Sequence, residues 1–537
     1  MILRPPPLPF LFLLLLSLLL PAAFAQDAAE PPIRVAVRAR GGAADRLTPL
    51  RYLAGFETKT LLYETLVKRG PDGRLVPGLA TWQIEDGGTA FRFRLREGAR
   101  YHDGSPVTAR SVQTHFRRWV GLPEHDWLPA NRHITRVDVD GDDTFVVHLD
   151  EPYPLLSDLA AINPCAIVAP GARDWEGEFR RPMGSGPFRF VGTNDDGSWL
   201  LQRDGPEPVR LEVRGMPRSN LDPANDEAPL DALAAGELDV FVCAWDEDLP
   251  PARIDAFDRD PAFVVDETPG SSVVYLSFRL LDGPTSRLDV RRRVAAAVDR
   301  DALIRALEGG RATPCTAWAA PSIRFWPRRP SDRTPVETPA DAPRVPLRIA
   351  AARLNPRARR VAEAVAAQLR PHGFDVEVVE LRAREKAEQR MQESGDAAPL
   401  TLASGSVRAA ANREVRRVAE TADLCVEITH GAPYDPQLTL VSRWGPFANH
   451  NEDEPRPENG VDAELRELVT KTMSVPDELE CVTLYAQIQQ RMDEQALIVP
   501  LYSPHRMAIR AAAVEGVVLG PDLYRVDLRG LRRVDTR

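Results

Sequence analysis

The chain has 537 residues, of which 43% are hydrophobic, 27% charged and 7% aromatic, and its formal net charge is −10. This balance is typical of globular proteins and excludes a disordered or fibrous chain, and the length predicts about three to four domains or subdomains. An acidic chain without basic runs is a poor binder of nucleic acid or of an anionic membrane surface.

Residues 1–25 have the pattern of a secretory signal peptide. Arg4 precedes an apolar run from Leu8 to Leu20, and Ala23-Phe24-Ala25 offers small residues to a signal peptidase. The run is shorter than the ~20 residues of a membrane span, and no cysteine follows it to carry a lipid anchor. We therefore expect a periplasmic protein that does not span the membrane. Its five scattered cysteines predict buried thiols rather than a disulfide framework.

The first section of the mature chain predicts mixed α+β structure rather than a regular βαβ array. Residues 33–40 and 90–96 alternate apolar with polar residues, as half-buried strands do, whereas 56–68 has helical spacing. Residues 108–120 predict a further helix, and 134–149 predict two more strands. Asp-Gly pairs, which favour turns, separate several of these elements.

The rest of the chain predicts further helices and strands. The expected elements are a hairpin at 184–203 with its tip at 194–197, a helix, glycine and strand at 229–242, a helical pair at 288–310, a proline-rich linker at 326–346, a strand at 347–352, a helix at 355–370, a strand at 374–381, helices at 461–473 and 476–497, and a strand at 498–502. The strand, helix and strand of 347–381 predict one βαβ unit with a right-handed crossover.

Catalytic motifs of secreted hydrolases are missing from the sequence. There is no G-x-S-x-G elbow, no H-E-x-x-H and no glycine-rich phosphate loop. Gly184-Ser185-Gly186-Pro187 predicts a turn that enters a strand, because a proline follows, rather than a nucleophilic serine. We expect a protein that is not an enzyme. The alternative is a secreted hydrolase that uses a pair of carboxylates, since sequence spacing does not reveal distance in space.

Motifs at 61–112 carry a specific resemblance. In order, they are Tyr63-Glu64-Thr65-Leu66-Val67, Asp72-Gly73, Leu79-Ala80, Trp82, Leu95-Arg96, Gly98, His102-Asp103-Gly104, Pro106 and Thr108-Ala109. Later matches are Gly184-Ser185-Gly186-Pro187-Phe188, Gly236-Glu237-Leu238-Asp239 and the run from Asp289 to Arg300. With these motifs the chain resembles the family 5 solute-binding proteins of bacterial oligopeptide, dipeptide and nickel ABC importers.

The resemblance implies the fold class and the function. It implies an α/β fold with an α+β subdomain, in which two lobes joined by a hinge enclose an interlobe cleft. We expect lobe I at 26–50, 186–272 and 497–537, a subdomain at 51–185 inserted in lobe I, and lobe II at 273–496. The implied function is the extracytoplasmic receptor of an ABC importer, a monomer that captures peptides or a nickel or other metal chelate and delivers them to permease subunits. A ligand sensor of the same fold that is not coupled to import is the other alternative.

Candidate ligand-binding residues follow from the same resemblance. The segment from His430 to Pro436 looks like the W-G-A-P-Y-D-P loop of nickel-binding members, and Tyr434 and Asp435 are its expected ligand contacts. Further candidates are His430 for the ligand, Trp127, Trp444 and Phe56 as aromatic faces, and His450 as a metal contact. No resident cofactor is expected, because a metal would arrive as a chelated ligand.

Several positions depart from the nickel-binding pattern. Arginines that these members use against chelate carboxylates fall at Asn163 and Glu124, and a metal-linked histidine falls near Ala448. Residues 397–420 look like an insertion. These departures leave open whether the ligand is a peptide, a nickel chelate or another solute.

Overall fold

The computed structural model describes residues 30–37, 47–51, 56–70, 72–126, 128–173, 179–206, 208–216, 223–243, 249–327, 343–352, 356–381, 422–429, 436–444, 463–477, 479–520 and 526–534. The predicted signal peptide at 1–25, the insertion at 397–420 and most of the linker at 326–346 lie outside these residues.

The described strands, in chain order, are β1 Ile33–Val37, β2 Val67–Arg69, β3 Leu75–Pro77, β4 Ala80–Glu85, β5 Ala90–Leu95, β6 Ile134–Val139, β7 Thr144–Leu149, β8 Arg189–Thr193, β9 Trp199–Arg203, β10 Val209–Gly215, β11 Val240–Val242, β12 Phe263–Thr268, β13 Val274–Phe278, β14 Ala312–Pro314, β15 Val345–Ala352, β16 Phe374–Leu381, β17 Leu424–Ile428, β18 Ile498–Pro504, β19 Arg506–Ala511, β20 Val514–Glu515, β21 Val518–Leu519, β22 Val526–Asp527 and β23 Arg532–Arg533. The described α-helices are α1 Phe56–Leu62, α2 Ala109–Phe116, α3 Ala130–His133, α4 Leu155–Leu159, α5 Pro223–Ala234, α6 Pro251–Arg259, α7 Leu288–Ala297, α8 Arg300–Glu308, α9 Pro356–Leu369, α10 Pro436–Trp444, α11 Ala463–Met473 and α12 Val482–Glu494.

Three larger sheets organise the described chain. A seven-stranded sheet has the order β12-β19-β11-β1-β10-β9-β8, and a six-stranded sheet has the order β14-β18-β13-β17-β15-β16. A four-stranded antiparallel sheet has the order β4-β5-β7-β6. Strands from distant parts of the chain meet in each large sheet, because β1 lies between β10 and β11 and β13 lies between β18 and β17.

The alternating sequences form the strands that their patterns predict. In β5 the side chains of Phe91, Phe93 and Leu95 are buried, and the Phe93 ring stacks on Phe145 of β7 at a centroid distance of 5.3 Å. The predicted βαβ unit is confirmed as β15, α9 and β16, with the two strands parallel. The predicted hairpin is also confirmed, since β8 and β9 flank a turn in which the Asn194 N–H donates to the Ser198 carbonyl (2.9 Å).

Helix α1 is shorter than the 56–68 pattern predicts, because a distant segment takes up its last carbonyl groups. The N–H groups of Gly186 and Phe188 donate to the carbonyls of Leu62 and Leu61, each at 3.0 Å. A backbone that pairs with another segment at its last turn cannot extend the i to i+4 hydrogen-bond ladder. The Gly184–Pro187 motif is confirmed as the turn that leads into β8.

The family motifs lie together as a structural frame. His102 Nε2 lies 3.0 Å from the Gly186 carbonyl oxygen, and the His102 N–H donates to the Gly184 carbonyl (2.9 Å). Arg96 pairs with Glu64 at 3.0 Å. Gly104, at φ 82°, adopts the left-handed conformation that the predicted Asp-Gly turn requires. These contacts therefore join the segment that leads into β8 to the residues that follow β5 of the four-stranded sheet.

The C-terminal tail, expected at 497–537 in lobe I, divides between the two large sheets. β18 pairs with β13 and β14 in the six-stranded sheet, and β19 pairs with β11 and β12 in the seven-stranded sheet. All of β18 is buried, so its side chains fill the centre of the second sheet. The seven-stranded sheet therefore takes up the tail from β19 onwards, and the division of the chain into lobes stays a prediction.

The five cysteines lie in the described residues, where four are buried and Cys425 is half-buried. The prediction of buried side chains is therefore confirmed for four of the five cysteines.

Candidate functional site

Two adjacent crossings join the large sheets. Residues 269–273 connect β12 to β13, and His505 connects β18 to β19. Gly270 lies where the crossings touch, because a Cβ atom there would be 2.2 Å from the Pro504 carbonyl oxygen. The hydroxyls of Ser322 and Ser503 both donate to the Gly270 carbonyl, at 2.7 and 2.9 Å. Paired crossings of this kind allow the two bodies to rotate about one line.

The two bodies also touch away from these crossings. A Cβ atom on Gly88, in the turn between β4 and β5, would lie 2.0 Å from Pro476 Cγ. A Cβ atom on Gly73 would lie 3.0 Å from Ile323 Cδ1. The β4–β5 turn and the β2–β3 turn therefore both contact the body of the six-stranded sheet.

A crevice lies between the four-stranded sheet and the helices of the other body. Its lining residues are Pro129, Tyr153, Pro154, Ser157 and Asp158 on one side and Gln437, Val441 and Met473 on the other. The buried Asp158 carboxylate accepts hydrogen bonds from the Tyr153 hydroxyl (2.9 Å) and the Ala130 N–H (2.8 Å). This carboxylate is therefore a fixed part of one wall.

Segment 430–435 lies in sequence between β17 and α10, outside the described residues. Its sequence neighbours are placed firmly: the Val273 N–H donates to the buried Thr429 hydroxyl (2.7 Å), and the Thr429 N–H donates to the Val273 carbonyl (2.9 Å). On the other side, Gln437 Nε2 donates to the Thr472 carbonyl (2.6 Å). Thr429 therefore lies at one crossing and Gln437 lies at the crevice wall, on either side of segment 430–435.

Most of the predicted ligand contacts lie outside the described residues, namely Trp127, His430, Tyr434, Asp435 and His450. Phe56 is the first residue of α1, and its side chain is not described. Trp444 is 6% exposed, and its ring centroid lies 5.1 Å from that of Trp318. This position favours a packing role for Trp444, so its stacking on a ligand stays a prediction. Among the described residues no group of three His, Cys, Asp or Glu side chains could hold a metal ion.

An ion pair that the sequence did not predict joins β17 to α10. Glu427 on β17 pairs with Arg443 on α10 and also accepts hydrogen bonds from the Tyr275 hydroxyl (2.8 Å) and from Ser277. Burial favours a protonated Glu427, but the Arg443 charge and these hydrogen bonds outweigh it and hold the pKa of Glu427 below its usual range. The only sequence signal was a charged residue in each of two apolar segments.

We expect Arg443→Met to destabilise the protein by about 2–3 kcal/mol, because it leaves the partly buried Glu427 carboxylate without its counter-charge. The loss should shrink as the pH falls towards 4, where Glu427 binds a proton in the variant. Urea unfolding at pH 7 and pH 4.5 measures both effects. Arg359→Met is the control, since the exposed Arg359–Glu363 pair should contribute less than about 0.5 kcal/mol. Equal losses in the two variants would contradict the prediction.

A buried lysine lies beside the position that departs from the nickel-binding pattern. Lys59 is fully buried in α1, and its Nζ donates to the Arg51 carbonyl (2.8 Å) and to Asn163 Oδ1 (3.3 Å). Burial lowers the pKa of Lys59 to about 7. An amine that is about half protonated at pH 7 therefore lies beside Asn163, where the family arginine is absent. The sequence signal was a single lysine within the helical run.

The seven- and six-stranded sheets, the paired crossings and the crevice define a two-lobed binding protein. The chain belongs to the bacterial extracellular solute-binding proteins, family 5, whose model matches residues 74–405. The predicted family and fold class are therefore confirmed, and the protein is a binding receptor rather than an enzyme.

Relatives with assigned ligands cover most of the chain. The nickel-binding periplasmic protein of Escherichia coli (strain K12) is 24% identical over 502 residues, which are 86% of this chain and 87% of that protein. The probable di/tripeptide-binding protein 5 of Pseudomonas aeruginosa (strain UCBPP-PA14) is 23% identical over 494 residues, which are 84% of this chain and 85% of that protein.

Solved structures share the fold. NikA from Brucella suis in complex with Fe(III)-EDTA has a TM-score of 0.73 and 21% identity, and the match covers 94% of this chain and all of that chain. The dipeptide-binding protein from Pseudoalteromonas sp. SM9913 in complex with Met-Leu has a TM-score of 0.65 and 18% identity, and the match again covers 94% of this chain and all of that chain.

Proposed function

We propose that this receptor captures a peptide or a metal chelate in the cleft between its lobes and delivers it to the permease of an ABC importer. The paired crossings beside Gly270, together with the crevice, carry the proposal, because they permit closure around a ligand. Contacts made only in the closed form favour that form, so the importer can recognise the occupied receptor by its shape.

The ligand that we propose carries at least one carboxylate. Relatives of almost equal identity are named for nickel and for di/tripeptides, so their names do not choose between these ligands. The ligands of both solved relatives, EDTA and the dipeptide Met-Leu, are carboxylates. Lys59 Nζ lies 3.3 Å from Asn163 Oδ1, and a carboxylate bound nearby would favour the protonated, positively charged form of this amine.

Segment 430–435 provides the proposed ligand contacts. Asp435 meets the amine of a peptide, Tyr434 packs on the ligand, and His430 and His450 contact a chelated metal. Trp127, Trp444 and Phe56 supply aromatic faces. The firmly placed neighbours Thr429 and Gln437 support this proposal, because Thr429 lies at a hinge crossing and Gln437 lies at the crevice.

The proposed location is the periplasm, where the protein acts as a monomer after removal of residues 1–25. The Escherichia coli relative is named as a periplasmic protein, which supports this location. None of the described helices combines the length and the apolarity needed to cross a membrane.

Calorimetry with the mature protein tests the proposal. We expect micromolar or tighter binding of a di- to pentapeptide or of Ni²⁺ with free histidine. If a peptide binds, Asp435→Asn should weaken its binding about tenfold or more, because a charge-assisted hydrogen bond is lost. Asp195→Asn, at the hairpin tip remote from the crossings, is the control. Absence of binding by every candidate, without closure in X-ray scattering, would overturn the proposed function.

A further inference from the structure

Arg311 joins the two lobes at the side of the hinge. It lies between α8 and β14, in the body of the six-stranded sheet, and its side chain is 16% exposed. Its guanidinium pairs with three carboxylates of the other body: Asp258 (2.9 Å) and Asp255 (3.4 Å) on α6, and Glu267 on β12. Helix α6 packs through Ile254 and Phe257 into the core beside β11 and β19. The ion pairs therefore cross from one body to the other.

The same cluster includes the second crossing. The His505 N–H donates to the Arg311 carbonyl (3.1 Å), the His505 ring bonds Glu267, and its other nitrogen lies 2.9 Å from the Thr313 hydroxyl. Glu267 and His505 lie next to the crossings, so rotation of the lobes moves them least. Asp255 and Asp258 lie on a helix that moves as a body with the other lobe, so rotation changes their distances to Arg311 most.

The two bodies pack tightly beside these ion pairs. A Cβ atom on Gly309 would lie 2.8 Å from Pro251 Cβ. Pro251 begins α6, and Gly309, with a left-handed φ of 60°, ends α8. Arg311 lies on the wall of a second crevice, distinct from the one at Gln437. Leu249 and Ile254 line this second crevice from one body, and Leu307 and Glu308 line it from the other. Because the lobes also touch away from the crossings, where a Cβ atom on Gly88 would lie 2.0 Å from Pro476 Cγ, we infer that the present arrangement is the closed one.

Charge explains why this contact favours closure. Arg311 is mostly buried, and the neighbouring carboxylates raise its pKa despite the opposing effect of burial. Hydrogen bonds from His505 and Arg311 hold the pKa of Glu267 below its usual range. Without the guanidinium, the three carboxylates of one lobe would lie close together with no counter-charge from the other lobe. Asp255 and Asp258 are about half exposed, so salt screens their pairing with Arg311.

We propose that Arg311 is an interlobe latch, whose ion pairs with Asp255, Asp258 and Glu267 stabilise the closed form in the absence of ligand. Closed molecules then make up a larger share of the free receptor, and that share falls when salt screens the latch. This inference does not depend on the identity of the ligand, because the latch is made of protein groups alone.

Small-angle X-ray scattering of the ligand-free mature protein tests the latch at 50 and 500 mM NaCl. We expect the radius of gyration of the natural protein to rise with salt. Arg311→Met should be expanded already at 50 mM, with a closed-to-open ratio lowered about fivefold or more, and should respond little to salt. Asp258→Asn, an exposed change on the opposite lobe that leaves the fold intact, should shift the radius in the same direction by less.

Arg510→Met is the matched control. Arg510 is 14% exposed and pairs with Asp266, the neighbour of Glu267 on β12, but this pair lies within one body. Arg510→Met should leave the radius of gyration and its salt dependence unchanged. The latch is refuted if Arg311→Met and Asp258→Asn both match the natural protein at both salt concentrations, or if Arg510→Met produces the same expansion.

Discussion

Replacing Gly186 with alanine is expected to destabilise the protein by about 3 kcal/mol or more. A Cβ atom at this position would lie 2.4 Å from the Leu61 carbonyl oxygen and 2.5 Å from the Leu62 carbonyl carbon. Both atoms are backbone at the end of α1 and cannot move aside as a side-chain tip can. The Gly186 N–H bond to Leu62 would be lost with the displacement.

Urea unfolding followed by circular dichroism measures this effect. Gly192→Ala, on the adjoining strand β8, is the control, because a Cβ atom there meets nothing within 4 Å. It should be neutral or slightly stabilising, since alanine lowers the conformational entropy of the unfolded chain. A Gly186→Ala protein as stable as the Gly192→Ala protein would show that α1 and the 184–188 segment are not packed as described.

Lys59 is expected to make stability rise with pH by about 1.5 kcal/mol between pH 7 and 8.5, an increase that Lys59→Met should abolish. Burial lowers the pKa of the folded-state amine to about 7, against an unfolded value of 10.5. Between these values the unfolded chain holds a proton that the folded chain has released. Stability therefore increases as the pH rises through 7, and the penalty for the buried charge is complete only below that pH.

The measurement is the difference in unfolding free energy between the natural protein and Lys59→Met at several pH values. Burial raises the pKa of the Cys165 thiol, which lowers stability above about pH 8.5, but this effect is common to both proteins and cancels. Lys471→Met, which removes an exposed lysine paired with Glu467, is the control and should follow the natural pH profile. Parallel profiles for the natural protein and Lys59→Met would mean that Lys59 is charged throughout.

Local pattern was sufficient for most elements, as β5 and the βαβ unit of β15, α9 and β16 illustrate. Side-chain alternation and helical spacing act over a few residues, so they can be read along the chain. The same patterns overestimated the length of α1 and placed the start of α12 at 476 instead of 482. The ends of a helix depend on the hydrogen-bond partners that its terminal carbonyl and N–H groups find in distant segments.

Taken alone, the sequence determined the family, the two-lobed α/β class and the absence of the common hydrolase motifs, because these depend on ordered local motifs such as His102-Asp103-Gly104. Only the tertiary structure decided which charges meet. Lys59 reaches Asn163 across 104 positions, and Arg311 and His505 meet at a crossing between two lobes. Such pairs arise where sheets assembled from distant segments bring side chains together, and no spacing along the chain records that distance.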